Sequence, residues 1–475
     1  MNSSALLWIG LTVYAVVMFA LSPRATTAAE FFSAKEDGER EISTGFLVGS
    51  VVISWLFAKS ITNAANLGAT YGLVGAVAYA AWYVTIPVAG LVIYRLRDRL
   101  GVRSLSGFIT SKYGRLASLG FLTAILIRLF NEVWSNTAVV AAYFGSAGSP
   151  AYYAAAGAFA LVTLGYSLRG GLRSSVLTDA FQCAVAVFLL VFALALVMPD
   201  AGVEATVTSG QWTLKGGVDL LLVGLLQAFS YGFHDPVLTD RGFITEPKKM
   251  LRGYLGAGAI AAAFIVLFGL IGVHAHVTGL SVGEDAPLRV AEAFGVSVLA
   301  GMSVMMMLSA GSTLDSTLSS FSKAVVQDLG GAASSDSRRR AVPLEVFSRW
   351  VERRDPVRLG RWVMVVTIVV GSLPLYAGTE ILKATTLSGT MVLGLAPVFL
   401  LWFIDRAGPF AFHLAFWPGV VVGVVHAAGL TPAWLAVGSG DYAGLLGTNL
   451  AGCLIVFAGF GVGTLLDGLP RLRAR

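Results

Sequence analysis

Charged residues, cysteine and histidine are all scarce in this sequence. Only 13% of its 475 residues are Asp, Glu, Lys or Arg, whereas 56% are hydrophobic. A soluble domain carries about 25% charged residues on average, so this composition indicates a polytopic membrane protein. The two cysteines, Cys183 and Cys453, lie far apart in apolar stretches, and the five histidines show no metal-ligand spacing. A disulfide framework is therefore excluded.

Motifs of soluble chemistry are also missing. The sequence has no Walker-type glycine loop, so ATP hydrolysis does not drive this protein. The longest hydrophilic segment, about 329–361, is too short for a catalytic domain, and no nucleophile–base–orienter arrangement is visible. An enzyme is accordingly disfavoured. Glycine, in contrast, is abundant at 55 residues, which permits close helix packing in bilayers.

Apolar runs long enough to cross about 30 Å of hydrocarbon dominate the chain. We count thirteen of them, at approximately 5–21, 44–70, 72–94, 117–145, 151–167, 175–198, 217–234, 253–275, 294–328, 362–378, 381–404, 409–429 and 441–466. The first run has no basic residue before it, so we interpret it as a retained helix and not as a signal peptide. The prediction is an all-α protein with 13 transmembrane helices.

The distribution of basic residues predicts the orientation. If the N-terminus is outside, the inner segments hold 27 of the 33 Lys and Arg residues, and the outer loops hold little beyond Lys215 and Arg289. This agrees with the positive-inside rule. It also explains the net charge of +6 without a nucleic-acid partner, because the basic residues lie on the inner face of a lipid bilayer. We therefore expect a multi-pass protein of the plasma membrane with its N-terminus outside.

A stripe of hydroxyl groups marks the ninth run. On a helix, six side chains of the segment 309–323 share one face, namely Ser309, Ser312, Thr313, Ser316, Ser319 and Ser320. Asp315 borders this serine stripe, although an Asp at mid-membrane costs roughly 2.5–3.5 kcal/mol. Clustered oxygen ligands suit a small hard cation such as sodium. The alternative is that the hydroxyls bond carbonyls of their own helix and pack against neighbouring helices.

Two other runs are interrupted by polar residues. The second is broken at Lys59–Gly68, which contains Asn63 and Asn66, and the seventh at Phe229–Pro236. Paired interrupted helices point to a midplane binding site in a secondary transporter, because unwound backbone frees carbonyls for a cation and amides for a solute. Ordinary proline kinks are the alternative.

Ionisable residues also occur within two further runs. The fourth run carries Arg128, Asn131, Glu132 and Asn136, and its charges could neutralise each other, pair with Lys59 or contact a solute. Asp179 opens the sixth run without an evident partner, and an unpaired acid inside a membrane is a functional-site hypothesis.

At four places the sequence resembles the sodium:solute symporter family. Tyr166–Gln182 is similar to the family's double-glycine and threonine–aspartate–x–x–glutamine signature, with Ser167 as a departure. The segment GSTLDSTLSS at 311–320 resembles the sodium-binding helix, and Tyr231–Phe243 and Thr386–Pro397 resemble the sixth and tenth core helices. The resemblance covers about residues 5–466. It implies the leucine-transporter fold, with two inverted five-helix repeats whose first helices are broken, one leading helix and two trailing helices.

The resemblance divides the chain into four parts. These are the leading helix and inner loop (1–43), the first repeat (44–198), the second repeat with its inner loop 329–361 (199–404), and the trailing helices and tail (405–475).

The resemblance also implies two cation sites. In the first, Ser312 and Thr313 give side-chain oxygens to Na⁺, Ser309 gives a carbonyl, and Thr62 and Ala65 give carbonyls from the broken first core helix. A possible second cation or proton site consists of Asp179, Asp315 and Ser316, together with Ser312. Asp315 stands where such family members have serine. Two carboxylates that share a site hold either a cation or a proton between them, and both remain possible.

The resemblance places the solute between the two broken helices. We expect it to contact Asn63, Asn66, Tyr231, Phe233 and His234, with Glu132 behind them. Amides and aromatic rings favour a small polar organic solute.

The resulting prediction is a sodium-coupled symporter that imports a solute by alternating access and has no cofactor besides Na⁺ as the coupling ion. The alternatives are a proton-coupled carrier on the same fold, a solute sensor without transport activity and, less favoured, a channel.

Overall fold

The computed structural model describes residues 3–34, 43–329, 350–351, 353–376 and 388–473, and these residues form helices, turns and loops with no strand. The α-helices are α1 (Ser3–Leu21), α2 (Ala28–Ser33), α3 (Thr44–Trp55), α4 (Ala58–Tyr71), α5 (Leu73–Ala80), α6 (Thr85–Leu100), α7 (Leu105–Tyr113), α8 (Arg115–Ala142), α9 (Pro150–Ala201), α10 (Val203–Val207), α11 (Val218–Ala228), α12 (Pro236–Thr239), α13 (Pro247–Thr278), α14 (Ala286–Ala293), α15 (Val296–Lys323), α16 (Pro356–Gly371), α17 (Leu395–Leu400), α18 (Pro409–Ala427) and α19 (Ala443–Arg473). Short 3₁₀ helices occupy Ala81–Val84, Leu214–Gly216, Tyr231–His234, Asp240–Phe243, Leu373–Tyr376 and Ala433–Leu435, and a π-helix occupies Ala324–Leu329.

The described residues include nine helices that are long and apolar enough to cross a membrane, or ten if α3 and α4 form one bent span. The predicted count of thirteen is therefore not confirmed. The predicted spans 151–167 and 175–198 lie within the single 52-residue α9, and α11 covers 11 residues of the predicted span 217–234. The start of the predicted span 381–404 and most of the inner loop 329–361 lie outside the described residues.

Helix α9 has 52 residues, which is long enough for two passes across a membrane. It kinks at Gly171. This residue has φ 54° and ψ −135°, a conformation that side-chain-bearing residues rarely adopt. A Cβ atom there would lie 2.4 Å from the carbonyl oxygen of Phe31 in α2. Glycine is required on both grounds, since α2 packs directly against the kink.

The first interruption lies between α3 and α4, and the two helices meet at 61°. Leu56 and Phe57 leave the helical conformation, with ψ of 60° and 140°. The predicted break at Lys59–Gly68 is therefore wrong, because these residues lie inside the continuous helix α4. Gly68 instead allows α4 to approach α13, where a Cβ atom would lie 2.3 Å from the carbonyl oxygen of Gly269.

The second interruption confirms the prediction for Phe229–Pro236. Helix α11 ends at Ala228, a 3₁₀ turn covers Tyr231–His234, and α12 begins at Pro236. Proline lacks an N–H group and suits the first turn of a helix, and the Asp235 side chain caps α12 by accepting from the Val237 amide at 3.0 Å.

Two long helices hold these interruptions together. Helix α13 packs along α3, α4, α5 and α6, whereas α15 packs against α9, α8, α1 and α3. The two interruptions meet near the centre of the bundle, where the rings of Trp55 and Tyr231 lie 6.1 Å apart.

Candidate cation and solute sites

The serine stripe of α15 faces the first interruption. The Ser309 hydroxyl donates to the carbonyl oxygen of Leu56, which the break leaves without a helical partner. Ser312 Oγ donates to Asp179 Oδ1 at 2.5 Å, and Thr313 Oγ1 donates to the Ser309 carbonyl at 3.1 Å. All three hydroxyl-bearing residues are fully buried. The structure thus brings Ser309 into contact with an unwound backbone carbonyl, whereas Ser312 and Thr313, about one turn further along α15, bond Asp179 and the Ser309 carbonyl.

The hydroxyls of the stripe form hydrogen bonds both within α15 and to other segments. Thr313 and Ser319 bond carbonyls of their own helix, Ser319 reaching the Asp315 carbonyl at 2.8 Å. Ser309 and Ser312 contact other helices instead.

Thr62 and Ala65 do not lie at the first interruption, so the prediction that their carbonyls bind the cation is corrected. Both belong to α4, and the Thr62 hydroxyl donates to the Ala58 carbonyl at 3.2 Å within that helix. The Ala65 carbonyl faces α13, where a Cβ atom on Gly272 would lie 1.7 Å from it. Because the helix breaks at Leu56, the carbonyl without a helical partner belongs to Leu56 and not to Thr62 or Ala65.

The possible second cation site contains a cation of the chain itself. The Arg241 guanidinium is fully buried and lies 2.7 Å from Asp179 Oδ2. It also donates to Ser50 Oγ at 2.7 Å, to Ser316 Oγ at 2.8 Å and to Ser175 Oγ at 3.3 Å. Asp179 is therefore an ion-paired residue, in contrast to the unpaired acid that the sequence indicates.

Asp315 has no such cation beside it among the described contacts. Its carboxylate accepts from the Tyr166 hydroxyl at 2.9 Å, from Thr178 Oγ1 at 3.3 Å and from Ser316 Oγ at 3.2 Å. Ser316 links Asp315 to the ion pair, because its hydroxyl also accepts from Arg241. The cluster of Asp179, Asp315 and Arg241 thus holds two acids and one base with no exposed surface.

A second buried group of charges lies beside the second interruption. This charge network consists of Lys59, Arg128, Glu132 and Asp235. Lys59 Nζ lies 2.5 Å from Glu132 Oε1, Arg128 also pairs with Glu132, and Arg128 Nη2 lies 3.1 Å from Asp235 Oδ2. Asn136 Nδ2 donates to the second oxygen of Glu132 at 2.8 Å. The expected pairing of Lys59 with the fourth run is therefore confirmed, and the two positive and two negative charges balance.

Aromatic residues of both interruptions enclose a small cavity. This aromatic cage has a volume of about 10 Å³, roughly that of one water molecule. Its lining residues are Trp55, Phe57, Lys59, Ser60, Tyr79, Trp82, Tyr83 and Tyr231. Of these residues only Tyr231 was predicted to contact the solute, because aromatic residues in an apolar run carry no signal that separates a cavity lining from a core.

A larger cavity of about 300 Å³ lies on the other side of the charge network. Its walls are largely apolar residues of α8, α18 and the segment 391–392, and the polar lining residues are Thr123, Arg128, Asn131, His234 and Ser388. His234 Nε2 lies 3.1 Å from Ser388 Oγ.

The predicted solute residues therefore divide into two groups. Tyr231 and His234 line cavities, Asn63 lies next to the cage and donates to the Tyr79 hydroxyl at 3.4 Å, and Glu132 stands behind Lys59 as expected.

Asn66 and Phe233 do not line either cavity. The Asn66 amide is used by the loop before α14, since it donates to the Glu284 carbonyl and accepts from the Ala286 amide at 2.8 Å. The Phe233 ring stacks on Phe399 with centroids 4.3 Å apart. The sequence alone does not distinguish a polar or aromatic side chain that contacts other parts of the protein from one that contacts a solute.

No protein-family model matches the sequence. Among solved structures, a Na⁺-coupled sialic acid symporter in a substrate-bound outward-open state gives a TM-score of 0.71 at 16% identity, over 99% of this chain and 98% of that one. Mhp1, a nucleobase-cation-symport-1 family transporter in a closed conformation with bromovinylhydantoin bound, gives 0.57 at 13% identity, over 93% and 95%. Probable urea active transporter 3 of Schizosaccharomyces pombe is 22% identical over 251 residues, which are 46% of this chain.

These likenesses establish the fold, which is the leucine-transporter fold of the two solved transporters. The chain spans 37% of the length of the fungal relative. The proteins that it resembles are transporters and not enzymes.

Proposed function

We propose that this protein is a sodium-coupled symporter that moves a small polar organic solute across the membrane by alternating access. The observation that carries the proposal is the contact between the Leu56 carbonyl of the first interruption and Ser309 of the serine stripe. Ser312 and Thr313 lie on the same buried face, so Na⁺ would be held by the unwound carbonyl and by these hydroxyls. The sequence similarity to a probable urea active transporter supports a small polar solute.

The coupling follows from the position of this site between two elements. Helix α15 contacts the α3–α4 interruption through the Ser309 hydroxyl and the Leu56 carbonyl, so a cation bound there would stabilise one arrangement of the two elements. Solute then binds to a protein whose first interruption is already positioned. Such coupling needs only different cation affinities in the two states and no covalent step.

A proton-coupled carrier on the same fold is the second candidate, and Asp315 favours it. Arg241 compensates the charge of one acid, Asp179, and leaves the charge of Asp315 to be balanced by a proton or by a second cation. Buried charges without a partner are costly in a membrane, so one of these must bind.

We further propose a plasma-membrane location with the N-terminus outside, which the concentration of Lys and Arg in the predicted inner segments supports.

The test is the thermal stability of detergent-purified protein across a sodium titration, with potassium as the ionic-strength control. A ligand that binds only the folded state stabilises it, by about 2.7 kcal/mol at a concentration 100 times its Kd. We expect stabilisation by sodium alone, and its loss in Ser312→Ala and Thr313→Ala. Ser319→Ala is the matched control, because Ser319 lies six residues, about 9 Å, beyond Thr313 along the same helix and therefore away from the proposed cation site.

Equal effects of sodium and potassium on the wild type would contradict the cation assignment. A stabilisation that follows pH, is insensitive to sodium and disappears in Asp315→Asn would instead support the proton-coupled carrier.

A further inference from the structure

We propose that the aromatic cage binds a small uncharged solute of the amide class, which presents a carbonyl-type oxygen to the indole N–H of Trp55. The inference rests on the proposed transport function, since the cage lies between the two interruptions, and it specifies which solute the transporter takes.

The first observation is an unpaired donor in the cage. Trp55 is 2% exposed, and its Nε1 has no hydrogen-bond partner among the described residues. An indole N–H can only donate, and a buried donor without a partner is costly. Four other polar residues of the cage are partnered: Tyr83 donates to the Trp55 carbonyl at 2.8 Å, Ser60 and Tyr79 bond each other at 3.1 Å, and Trp82 donates to Gln227 at 2.9 Å. The Trp55 N–H is thus the donor that a solute with an acceptor oxygen would satisfy on entering the cage.

The second observation excludes a cationic solute. Aromatic cages attract cations through their ring faces, but here the chain supplies those cations itself. Lys59 Nζ lies 5.3 Å from the centroid of the Phe57 ring, and the Arg128 guanidinium lies 5.4 Å from the same centroid and 5.1 Å from that of Tyr231. An additional cation would be repelled by both.

The third observation excludes an anionic solute. The two basic groups beside the cage already have acidic partners, because Lys59 pairs with Glu132 and Arg128 pairs with Glu132 and Asp235. The charges of this network balance, so a bound anion would leave one negative charge uncompensated in a buried site. Such an imbalance is strongly unfavourable.

The fourth observation limits the size. The cavity of about 10 Å³ must widen to take any solute, and a molecule of few heavy atoms needs the least widening. The rings of Tyr83 and Tyr231 stand perpendicular to that of Trp55, at interplanar angles of 89° and 88°, so the walls are flat faces and ring edges. Flat walls suit a planar molecule. A planar, uncharged, oxygen-bearing molecule of this size is a simple amide.

The test uses three isosteric probes that differ in charge. Purified protein in proteoliposomes with an inward sodium gradient is assayed for uptake of radiolabelled acetamide (neutral), acetate (anionic) and acetamidinium (cationic). We expect acetamide uptake to exceed that of the other two at least tenfold. Trp55→Phe keeps a ring and removes the donor, so acetamide uptake should fall about tenfold while stabilisation by sodium is retained. Trp434→Phe, on the 80% exposed Trp434, is the control for an indole-to-phenyl change.

Preferential uptake of acetate or acetamidinium would overturn the inference, as would wild-type acetamide uptake by Trp55→Phe. If sodium stabilises the protein and acetamide is not taken up, the solute assignment fails and the cation assignment stands. If sodium does not stabilise the wild type, the proposed function itself fails, whichever probe is taken up.

Discussion

The guanidinium of Arg241 lies 2.7 Å from the carboxylate of Asp179, and neither side chain has measurable exposure. The pair joins the turn after the second interruption to helix α9, and through Ser50 it also reaches α3. A buried ion pair contributes little net stability relative to apolar residues, but it makes each partner depend on the other.

Removing the two partners should therefore have unequal effects. We expect Arg241→Gln to cost about 3–5 kcal/mol, because it leaves Asp179 buried and unpaired in the same cluster as Asp315. Asp179→Asn should cost less, because Arg241 still has Asp315 near it through Ser316. The double variant should be less destabilised than the sum of the two, since both single variants remove the same ion pair. Thermal unfolding of the detergent-purified proteins measures this difference.

The exposed pair of Arg289 and Glu292 gives the matched control. Their charged atoms lie 2.8 Å apart with side chains 55% and 43% exposed, so Arg289→Gln should change the unfolding free energy by less than about 1 kcal/mol. Additive losses in the Asp179 and Arg241 double variant would show that the two residues do not act as a pair.

The charge network makes a second, asymmetric prediction. Glu132 is shared by Lys59 and Arg128, so Glu132→Gln leaves two cations with Asp235 as their remaining acid. Lys59→Gln, in contrast, leaves Glu132 with Arg128 and with the amide of Asn136. We expect Glu132→Gln to lower the melting temperature considerably more than Lys59→Gln. Equal losses would mean that Arg128 does not compensate Glu132 on its own.

The serine stripe shows what helical periodicity can predict. A 3.6-residue repeat fixes which side chains share a face, and Ser309, Ser312 and Thr313 are all buried inside the helix bundle. Their predicted role as cation ligands stays a prediction. Likewise, the Gly232 and Pro236 signals located the second interruption, because these residues act on the backbone directly.

The first interruption escaped prediction for a physical reason. It falls at Leu56 and Phe57, between apolar residues that carry no local turn signal, so packing and not sequence preference bends the chain there. The predicted carbonyl ligands Thr62 and Ala65 were misplaced as a direct consequence. Arg241 was predicted to be one of the basic residues of an inner segment. The sequence around it does not indicate that the 3₁₀ turn after α12 places its side chain against Asp179.

The kink of α9 gives a prediction that compares two glycines of one helix. Gly171→Ala should destabilise the protein by about 1–3 kcal/mol, because the residue has φ 54° and its Cβ atom would overlap the Phe31 carbonyl. Gly157→Ala should be neutral or stabilising by up to about 1 kcal/mol, since Gly157 lies in the same helix with open space around it. Melting temperatures of the two variants measure the contrast. Equal effects would mean that the kink tolerates a side chain.

The loop that carries α2 should give the protein a pH-dependent contribution to stability. Glu30 accepts from the backbone amides of Thr26 at 2.8 Å and Thr27 at 3.2 Å, and it pairs with Arg173 just beyond the kink. The Thr26 amide bond is the largest cause that lowers the pKa of Glu30 below its usual value of 4.5. A lowered pKa means that the ionised form is favoured in the folded state.

The resulting stabilisation is fully present above pH 4.5 and is lost as the pH falls through the lowered pKa of the folded state. Glu30→Gln should therefore melt below the wild type at pH 7, and the difference should shrink as the pH falls below 4.5, because protonation then removes the same charge from the wild type. Melting temperatures measured on both proteins over this pH range test the sign. Glu204→Gln, on an exposed carboxylate, is the control and should show no such convergence. A difference between Glu30→Gln and the wild type that stays constant down to the most acidic pH would show that the side chain stabilises the loop by packing and not by its charge.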